Sequence, residues 1–181
     1  MVKRYLQSNI SMKYVFVLPF LALGVFVIAF LYTSSGNPVM RYIGIGFGLV
    51  LFAVMAVYYK EKFSVSRQLK QVPNVQEFED AVMIGQAFFL DQRMLGYAKG
   101  TLYDLSYPDI QKIEYNVTPK GKQYLNLTCA KGILPVEMAL KDQAARVAQF
   151  LKTKNPDAEV IGIDPSGPGT LHSIDPYRNE K

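Results

Sequence analysis

The chain has 181 residues, a net charge of +5, one cysteine and one histidine. One cysteine excludes an internal disulfide, and this pair of residues is too few for a Cys/His metal site with the usual spacings. The positive charge is uneven, because residues 1–59 contain four basic residues and no acidic one, whereas the rest of the chain is nearly balanced. The basic character therefore belongs to the N-terminal region, and the composition argues against a nucleic-acid-binding surface.

Two uncharged, apolar stretches occupy residues 14–32 and 42–59. As a helix, the first would be about 28 Å long, close to the hydrocarbon thickness of a bilayer. Thirteen of its residues are Leu, Ile, Val or Phe, which favours insertion by about 4 kcal/mol. We therefore predict two transmembrane helices. The alternative for the first stretch is a cleaved signal peptide, but the stretch is longer than such apolar regions usually are, and a second one follows directly.

The flanking residues predict the orientation of these helices. Residues 33–41 form a short external loop with one basic residue, which requires the two helices to be antiparallel. The other basic residues cluster in the N-terminal flank, residues 1–13, and in the juxtamembrane linker, residues 60–73. By the positive-inside rule, we expect a two-span protein of the cell membrane with both termini in the cytoplasm.

Glycines within the apolar stretches are candidates for helix packing. Gly44 and Gly48 form a G-x-x-x-G pair in the second stretch, and Gly24 lies at a similar depth in the first. Small residues allow close approach of two helices in lipid, where packing drives association. The alternative is that these glycines are merely tolerated in a membrane helix.

Residues 74–155 show a different pattern, with short β-branched and aromatic runs separated by turn residues. The predicted strands are residues 81–84, 87–90, 94–97, 101–105, 110–117, 123–129 and 133–139. One amphipathic helix follows, with Asp142 as its predicted N-cap and an end before Asn155. The fold class is thus α+β: a transmembrane hairpin followed by a small antiparallel β-barrel or sandwich capped by one C-terminal helix. Residues 156–181 form a Pro/Gly-rich tail, expected to be mobile apart from an added strand at residues 160–163.

Two segments carry a resemblance to a known family. Residues 88–97 read FFLDQRMLGY and residues 105–115 read LSYPDIQKIEY. With the amphipathic helix that follows, the region of residues 75–154 resembles the bacterial pleckstrin-homology-like (PH-like) domains. That resemblance implies a seven-stranded barrel, closed by the helix, that binds a ligand or partner and is not an enzyme.

Five lysines are candidates for contact with lipid or with an acidic partner. Lys120 and Lys122 lie at the tip of a predicted hairpin, and we expect three more to lie near it: Lys99, Lys112 and Lys131. A lysine close to an anionic membrane surface contributes about 1 kcal/mol to binding. The alternative is that a basic hairpin tip serves solubility alone.

Other polar residues favour structural roles. We expect Arg93 and Asp109 to pair at a corner of the sheet, and Cys129 to be a small core residue, since the domain lacks a histidine. The acidic residues of segment 77–80 are interpreted as a solvated edge and not as a metal site. We predict no cofactor, metal or catalytic residue.

The sequence therefore predicts a membrane-anchored, non-catalytic binding or adaptor module on the cytoplasmic face. Its expected partners are the bilayer and either another protein or a second copy of the chain, with no nucleic acid and no small-molecule substrate. One alternative is an accessory subunit of a membrane transport or secretion complex. Another is a sensor that responds to anionic lipid.

Overall fold

The computed structural model describes residues 2–176. The chain divides into two compact units, a helical unit of residues 3–67 and a β unit formed mainly by the residues from 68 onward. The helices of the first part are α1 (Val2–Tyr14), α2 (Val17–Ser35) and α3 (Pro38–Leu69). Both α2 and α3 are long and apolar enough to cross a membrane.

Two residues connect α2 to α3, so the connection is shorter than the predicted loop of residues 33–41. Gly36 has a left-handed backbone (φ 63°) and its N–H donates to the carbonyl of Tyr32, which ends α2 as glycine commonly ends helices. Asn37 then accepts a hydrogen bond from the N–H of Val39 through its side chain (3.0 Å), and Pro38 occupies the first position of α3. Gly36 and Asn37 therefore explain why the chain reverses between α2 and α3.

The N-terminal flank, for which the sequence predicts no secondary structure, is helix α1. Its Gln7 side chain donates to Ser66 Oγ (3.0 Å), and the hydroxyls of Ser11 and Tyr58 lie 3.3 Å apart. The ring of Tyr14 also meets that of Tyr58 edge-on, with centroids 5.3 Å apart. Helix α1 therefore runs antiparallel along the second half of α3. With 32 residues, α3 is about 48 Å long, which exceeds the hydrocarbon thickness of a bilayer.

The β unit begins with a 3₁₀ turn (Val75–Glu79) and contains two four-stranded sheets. Sheet 1 is antiparallel, and its strands, in spatial order, are β1 (Val82–Ile84), β2 (Ala87–Phe89), β3 (Arg93–Ala98) and β4 (Thr101–Ser106). Sheet 2 contains three antiparallel strands and β8, which pairs in parallel with β5. Its spatial order is β7-β6-β5-β8, and its strands are β5 (Ile110–Val117), β6 (Gln123–Cys129), β7 (Gly132–Met138) and β8 (Glu159–Ile161).

All seven predicted strands are present, with ends that differ by no more than one residue. The expected closed barrel is not. A 3₁₀ turn (Tyr107–Asp109) separates β4 from β5, and within residues 2–176 no ladder joins the two sheets. The strands therefore form two separate sheets, and the finer PH-like assignment is not established by this topology.

Helix α4 (Lys141–Lys154) packs into the common core of the two sheets. Its N-cap is Leu140, not the predicted Asp142, which instead lies in the first turn, where a carboxylate interacts favourably with the helix dipole. The apolar side of α4 and the inner faces of both sheets form one core. The largest fully buried side chains of this core include Phe89, Tyr107, Phe150, Met94, Ile110, Ile113, Leu125 and Leu127.

The tail is more ordered than predicted as far as residue 176. Ile163 and Ile174 are buried members of the core, and Ile174 lies in a short helix, α5 (Leu171–Ile174). The N–H of Ser166 also donates to the carbonyl of Ala145 in α4. The expected mobility is therefore wrong for this part of the tail, because its apolar residues are buried in the core. Residues 177–181 lie outside the described part of the chain.

Candidate functional site

The tip of the β5–β6 hairpin holds two of the predicted lysines in different environments. The turn is fixed by Thr118, whose N–H donates to the carbonyl of Lys122 (2.8 Å), and by Gly121 with φ 77°. The ammonium of Lys122 donates to Glu137 on β7 (2.8 Å), and this hydrogen bond raises the pKa of Lys122. Lys120 is exposed at the tip. A cationic function of the hairpin therefore depends mainly on Lys120.

Lys99 borders a groove of about 500 Å³ on the outer side of sheet 2. We call it the Lys99 groove; its lining residues are Lys99, Asn116, Thr118, Tyr124, Asn126, Ile133 and Pro135. Lys99 and Gly100 form the tight β3–β4 turn, both with positive φ (50° and 83°). Such turns favour Asn before Gly, and a lysine in this conformation costs about 1 kcal/mol. The groove thus places Lys99 near the base of the basic hairpin, since Thr118 lines the same space.

Lys131 and Lys112 do not join this group. Lys131 lines a separate cleft of about 410 Å³. We call it the Asp109 cleft; its lining residues are Asp104, Leu105, Pro108, Asp109, Gln111, Cys129, Ala130 and Lys131. Lys112 lies 3.7 Å from Glu114 on the same strand. The five lysines therefore do not form one basic patch, since Lys99 lines one groove, Lys131 lines another, and neither hairpin lysine lines either of them.

Arg93 does not pair with Asp109 as predicted. Its guanidinium forms an ion pair with Glu77 (2.9 Å), lies 3.8 Å from Asp104 and stacks on the ring of Phe78 at 4.9 Å. It also donates to the carbonyl of Pro73 (2.9 Å). Arg93 thus fastens the 3₁₀ turn before β1 to sheet 1, and Glu77 is part of that connection.

The Asp109 cleft is held in place by Tyr107 and Asn155, for which the sequence predicts no role in a site. The hydroxyl of Tyr107 donates to the carbonyls of Leu90 and Arg93, and burial raises the pKa of this phenol. The side-chain amide of Asn155 donates to the carbonyls of Tyr107 (3.3 Å), Pro108 (3.2 Å) and Ile110 (2.8 Å). Asn155 ends α4, so it joins the end of the helix to the start of β5.

The three candidate helix-packing glycines differ in how closely other side chains approach them. A Cβ added at Gly24 would lie 2.9 Å from the ring of Phe47, and one at Gly44 would lie 3.3 Å from Ile28. Both glycines therefore lie at the contact between α2 and α3. A Cβ at Gly48 would meet nothing within 4 Å, so this glycine faces an open side of the hairpin.

Cys129 is buried, and its Sγ lies 3.3 Å from the carbonyl of Gly132, as suits a small core residue. Within residues 2–176, no group of three or more His, Cys, Asp or Glu side chains is arranged to hold a metal ion.

Comparison of this chain with protein-family models, with curated proteins and with solved structures finds no match in any of the three. The similarity to PH-like domains therefore depends on the sequence segments alone.

Proposed function

We propose that the protein is a membrane-anchored, non-catalytic binding module that presents its β unit to a partner at the cytoplasmic face of the cell membrane. The observation that carries this proposal is the exposed apolar surface of α2 and α3. The most apolar stretch of each helix has no buried residue, and α2 exposes large side chains such as Phe20, Phe26 and Phe30. Exposed apolar surface of this extent is stable in lipid and unfavourable in water.

The distribution of charge supports the orientation. Arg41 is the basic residue near the two-residue α2–α3 connection, whereas α1 and the far end of α3 carry several: Lys3, Arg4, Lys13, Lys60, Lys62 and Arg67. Positive charge remains on the cytoplasmic side when a hairpin inserts, so the connection would lie outside and both termini inside. The β unit follows α3 directly and would share that side.

Two concave surfaces on the β unit favour a binding role. The Lys99 groove combines one ammonium with amides, hydroxyls and the exposed side chain of Ile133, and the Asp109 cleft lies next to an edge of sheet 1. Binding by an anchored domain benefits from a high effective concentration of any partner confined to the same membrane. Weak contacts at such surfaces would therefore be sufficient for recruitment.

Labelling of single cysteines in intact cells tests the anchor and its orientation. Cys129 is buried and gives a low background, so Asn37→Cys and Lys120→Cys can each be added to the natural chain. We expect a membrane-impermeant maleimide to label Asn37→Cys in intact cells and Lys120→Cys only after the cells are opened. Labelling of Lys120→Cys from outside would reject the cytoplasmic location, and release of the protein by carbonate would reject the anchor.

Affinity purification of the full chain in mild detergent tests the adaptor role. We expect a protein to accompany it in a stoichiometric amount and to be lost when the β unit carries substitutions on its surface. An accompanying membrane protein that is lost on changing Gly48, and not on changing the β unit, would instead favour the accessory-subunit alternative.

A further inference from the structure

Strand β4 leaves one edge of sheet 1 without a strand partner among residues 2–176. In the spatial order of the sheet, β4 is terminal and pairs with β3 only. Residues of an antiparallel edge strand alternate between those bonded to the neighbour and those whose N–H and C=O point away from it. The register pairs Leu102 with Tyr97, Asp104 with Leu95 and Ser106 with Arg93.

The hydrogen bonds of Gln68 identify which residues of β4 direct their backbone N–H and C=O groups away from β3. The N–H of Leu102 donates to the side-chain oxygen of Gln68 (2.7 Å), and the side-chain nitrogen of Gln68 donates to the carbonyl of Gly100 (2.9 Å). One amide thus binds both a donor and an acceptor of the edge, as a peptide group of an added strand would. Since the backbone groups of Leu102 point away from β3, those of Asp104 and Ser106 do so too.

Four backbone groups of this edge are left for a further strand: the carbonyls of Leu102 and Asp104, and the N–H groups of Asp104 and Ser106. In the described part of the chain, none of them takes part in a backbone–backbone hydrogen bond outside the sheet ladders. Asp104 is partly exposed and Ser106 is exposed. An unpaired edge of this kind is a template for a strand from another chain.

The Asp109 cleft lies beside the same edge and indicates what that strand would carry. Asp104 and Leu105 of β4 line it, and Leu105 and Cys129 are its buried apolar members. Arg93 lies near the carboxylate of Asp104, whereas Asp109 is exposed and makes no ion pair among residues 2–176. An aliphatic side chain suits the floor of the cleft. The lining carries two carboxylates, Asp104 and Asp109, against the single ammonium of Lys131, so a basic side chain suits Asp109.

We propose that the free edge of β4 and the Asp109 cleft together bind an extended segment of a partner protein. The segment adds a fifth strand to sheet 1, places an aliphatic side chain over Leu105 and Cys129, and places a basic side chain beside Asp109. This inference rests on the proposed binding function and names the class of partner that such a module takes.

The test uses the full chain in nanodiscs of neutral lipid and a fluorescent, blocked peptide of sequence Thr-Val-Thr-Arg-Thr, whose Val and Arg side chains point to the same face of a strand. Ser106→Pro removes one outward N–H, and the φ of Ser106 (−77°) already suits proline. Ser106→Ala keeps that N–H and is the matched control. We expect saturable binding to the natural chain and to Ser106→Ala, about tenfold weaker binding to Ser106→Pro, and slower hydrogen exchange at Asp104 and Ser106 in the complex.

A charge-reversed pair makes the test independent of the proline variant. Asp109→Lys should weaken binding of the arginine peptide and restore binding of the same peptide with Glu in place of Arg. Equal binding by Ser106→Pro and Ser106→Ala, no rescue of the charge-reversed pair, or no saturable binding by the natural chain at millimolar peptide would each overturn the inference. Those results would leave the anchor and its orientation unchanged, since cysteine labelling measures these separately.

Discussion

The ring of Tyr107 lies edge-on against the ring of Phe150, with centroids 5.3 Å apart and planes at 86°. Tyr107 begins the turn between the two sheets, and Phe150 lies on the buried side of α4. The hydroxyl of Tyr107 also binds the carbonyls of Leu90 and Arg93, at the turn between β2 and β3. One side chain therefore joins helix α4 to the β2–β3 turn of sheet 1.

We expect Tyr107→Phe to lower the free energy of unfolding by about 1–2 kcal/mol at neutral pH, because two carbonyls lose their donor. The cost should shrink in alkali. Burial raises the pKa of Tyr107 above its usual value, so above about pH 10 the unfolded chain ionises first and the natural protein loses about 1.4 kcal/mol per pH unit from this site. Denaturant unfolding of both chains at pH 8 and pH 11 measures the difference; a constant difference would contradict the prediction.

Asn155→Ala should be more costly, at about 2–3 kcal/mol, because three buried or partly buried carbonyls lose a shared donor. Asn116→Ala is the control, since Asn116 is exposed in the Lys99 groove. Thermal unfolding in one detergent compares the two variants. If the two substitutions lowered the stability equally little, Asn155 would not hold the end of α4 to the start of β5.

Gly85 should be the least replaceable glycine of the β unit. Its φ is 57°, and an added Cβ would lie 2.7 Å from the carbonyl oxygen of Glu137 on β7. Gly100 has a similar left-handed conformation (φ 83°) but open space around it. We expect Gly100→Ala to cost about 1 kcal/mol from backbone strain alone, and Gly85→Ala to cost at least twice as much. Equal losses in denaturant unfolding would show that the approach of the β1–β2 turn to β7 is unimportant.

The elements were predictable from sequence because their signals are local. The strands of sheet 2 bury every second residue, as in Gln123–Cys129, so their period was visible. Helix α4 ends where Asn155 and Pro156 interrupt its apolar stripe. Closure of the sheets was not predictable, because it depends on how β4 and β5 diverge at the 3₁₀ turn. The order of the tail likewise depends on burial of Ile163 and Ile174, which are distant in sequence from what they cover.

The candidate site was predictable only in part, because the type of a residue does not reveal its partner. Lys122 and Lys120 look alike in sequence, yet Glu137 on a neighbouring strand engages one of them. Arg93 pairs with Glu77 instead of Asp109, since the 3₁₀ turn brings Glu77 to it. Gln68 carried no signal, because an amide that binds a strand edge resembles any exposed glutamine.

Self-association through α3 predicts different effects for two glycines. Gly24→Leu should disrupt the hairpin itself, because its Cβ would already meet the ring of Phe47. Gly48→Leu fits the hairpin, and we expect it to reduce a dimer in mild detergent about tenfold, because it blocks close helix approach. Crosslinking yield and light scattering report the dimer. An unchanged dimer in Gly48→Leu would leave that glycine with no packing role.

We expect the two hairpin lysines, Lys120 and Lys122, to contribute differently to any binding of anionic lipid. Lys120→Glu should remove most of any such binding, whereas Lys122→Glu should mainly break its bond to Glu137 on β7, since that carboxylate already offsets its charge. The measurement is hydrogen exchange of residues 118–122 in the full chain, in nanodiscs with and without about a third of phosphatidylglycerol. Salt of about 0.5 M should abolish the lipid effect in the natural chain, since it screens exposed charges. Protection that persists in Lys120→Glu, or that is indifferent to salt, would reject the anionic-lipid sensor and leave the hairpin lysines a role in solubility.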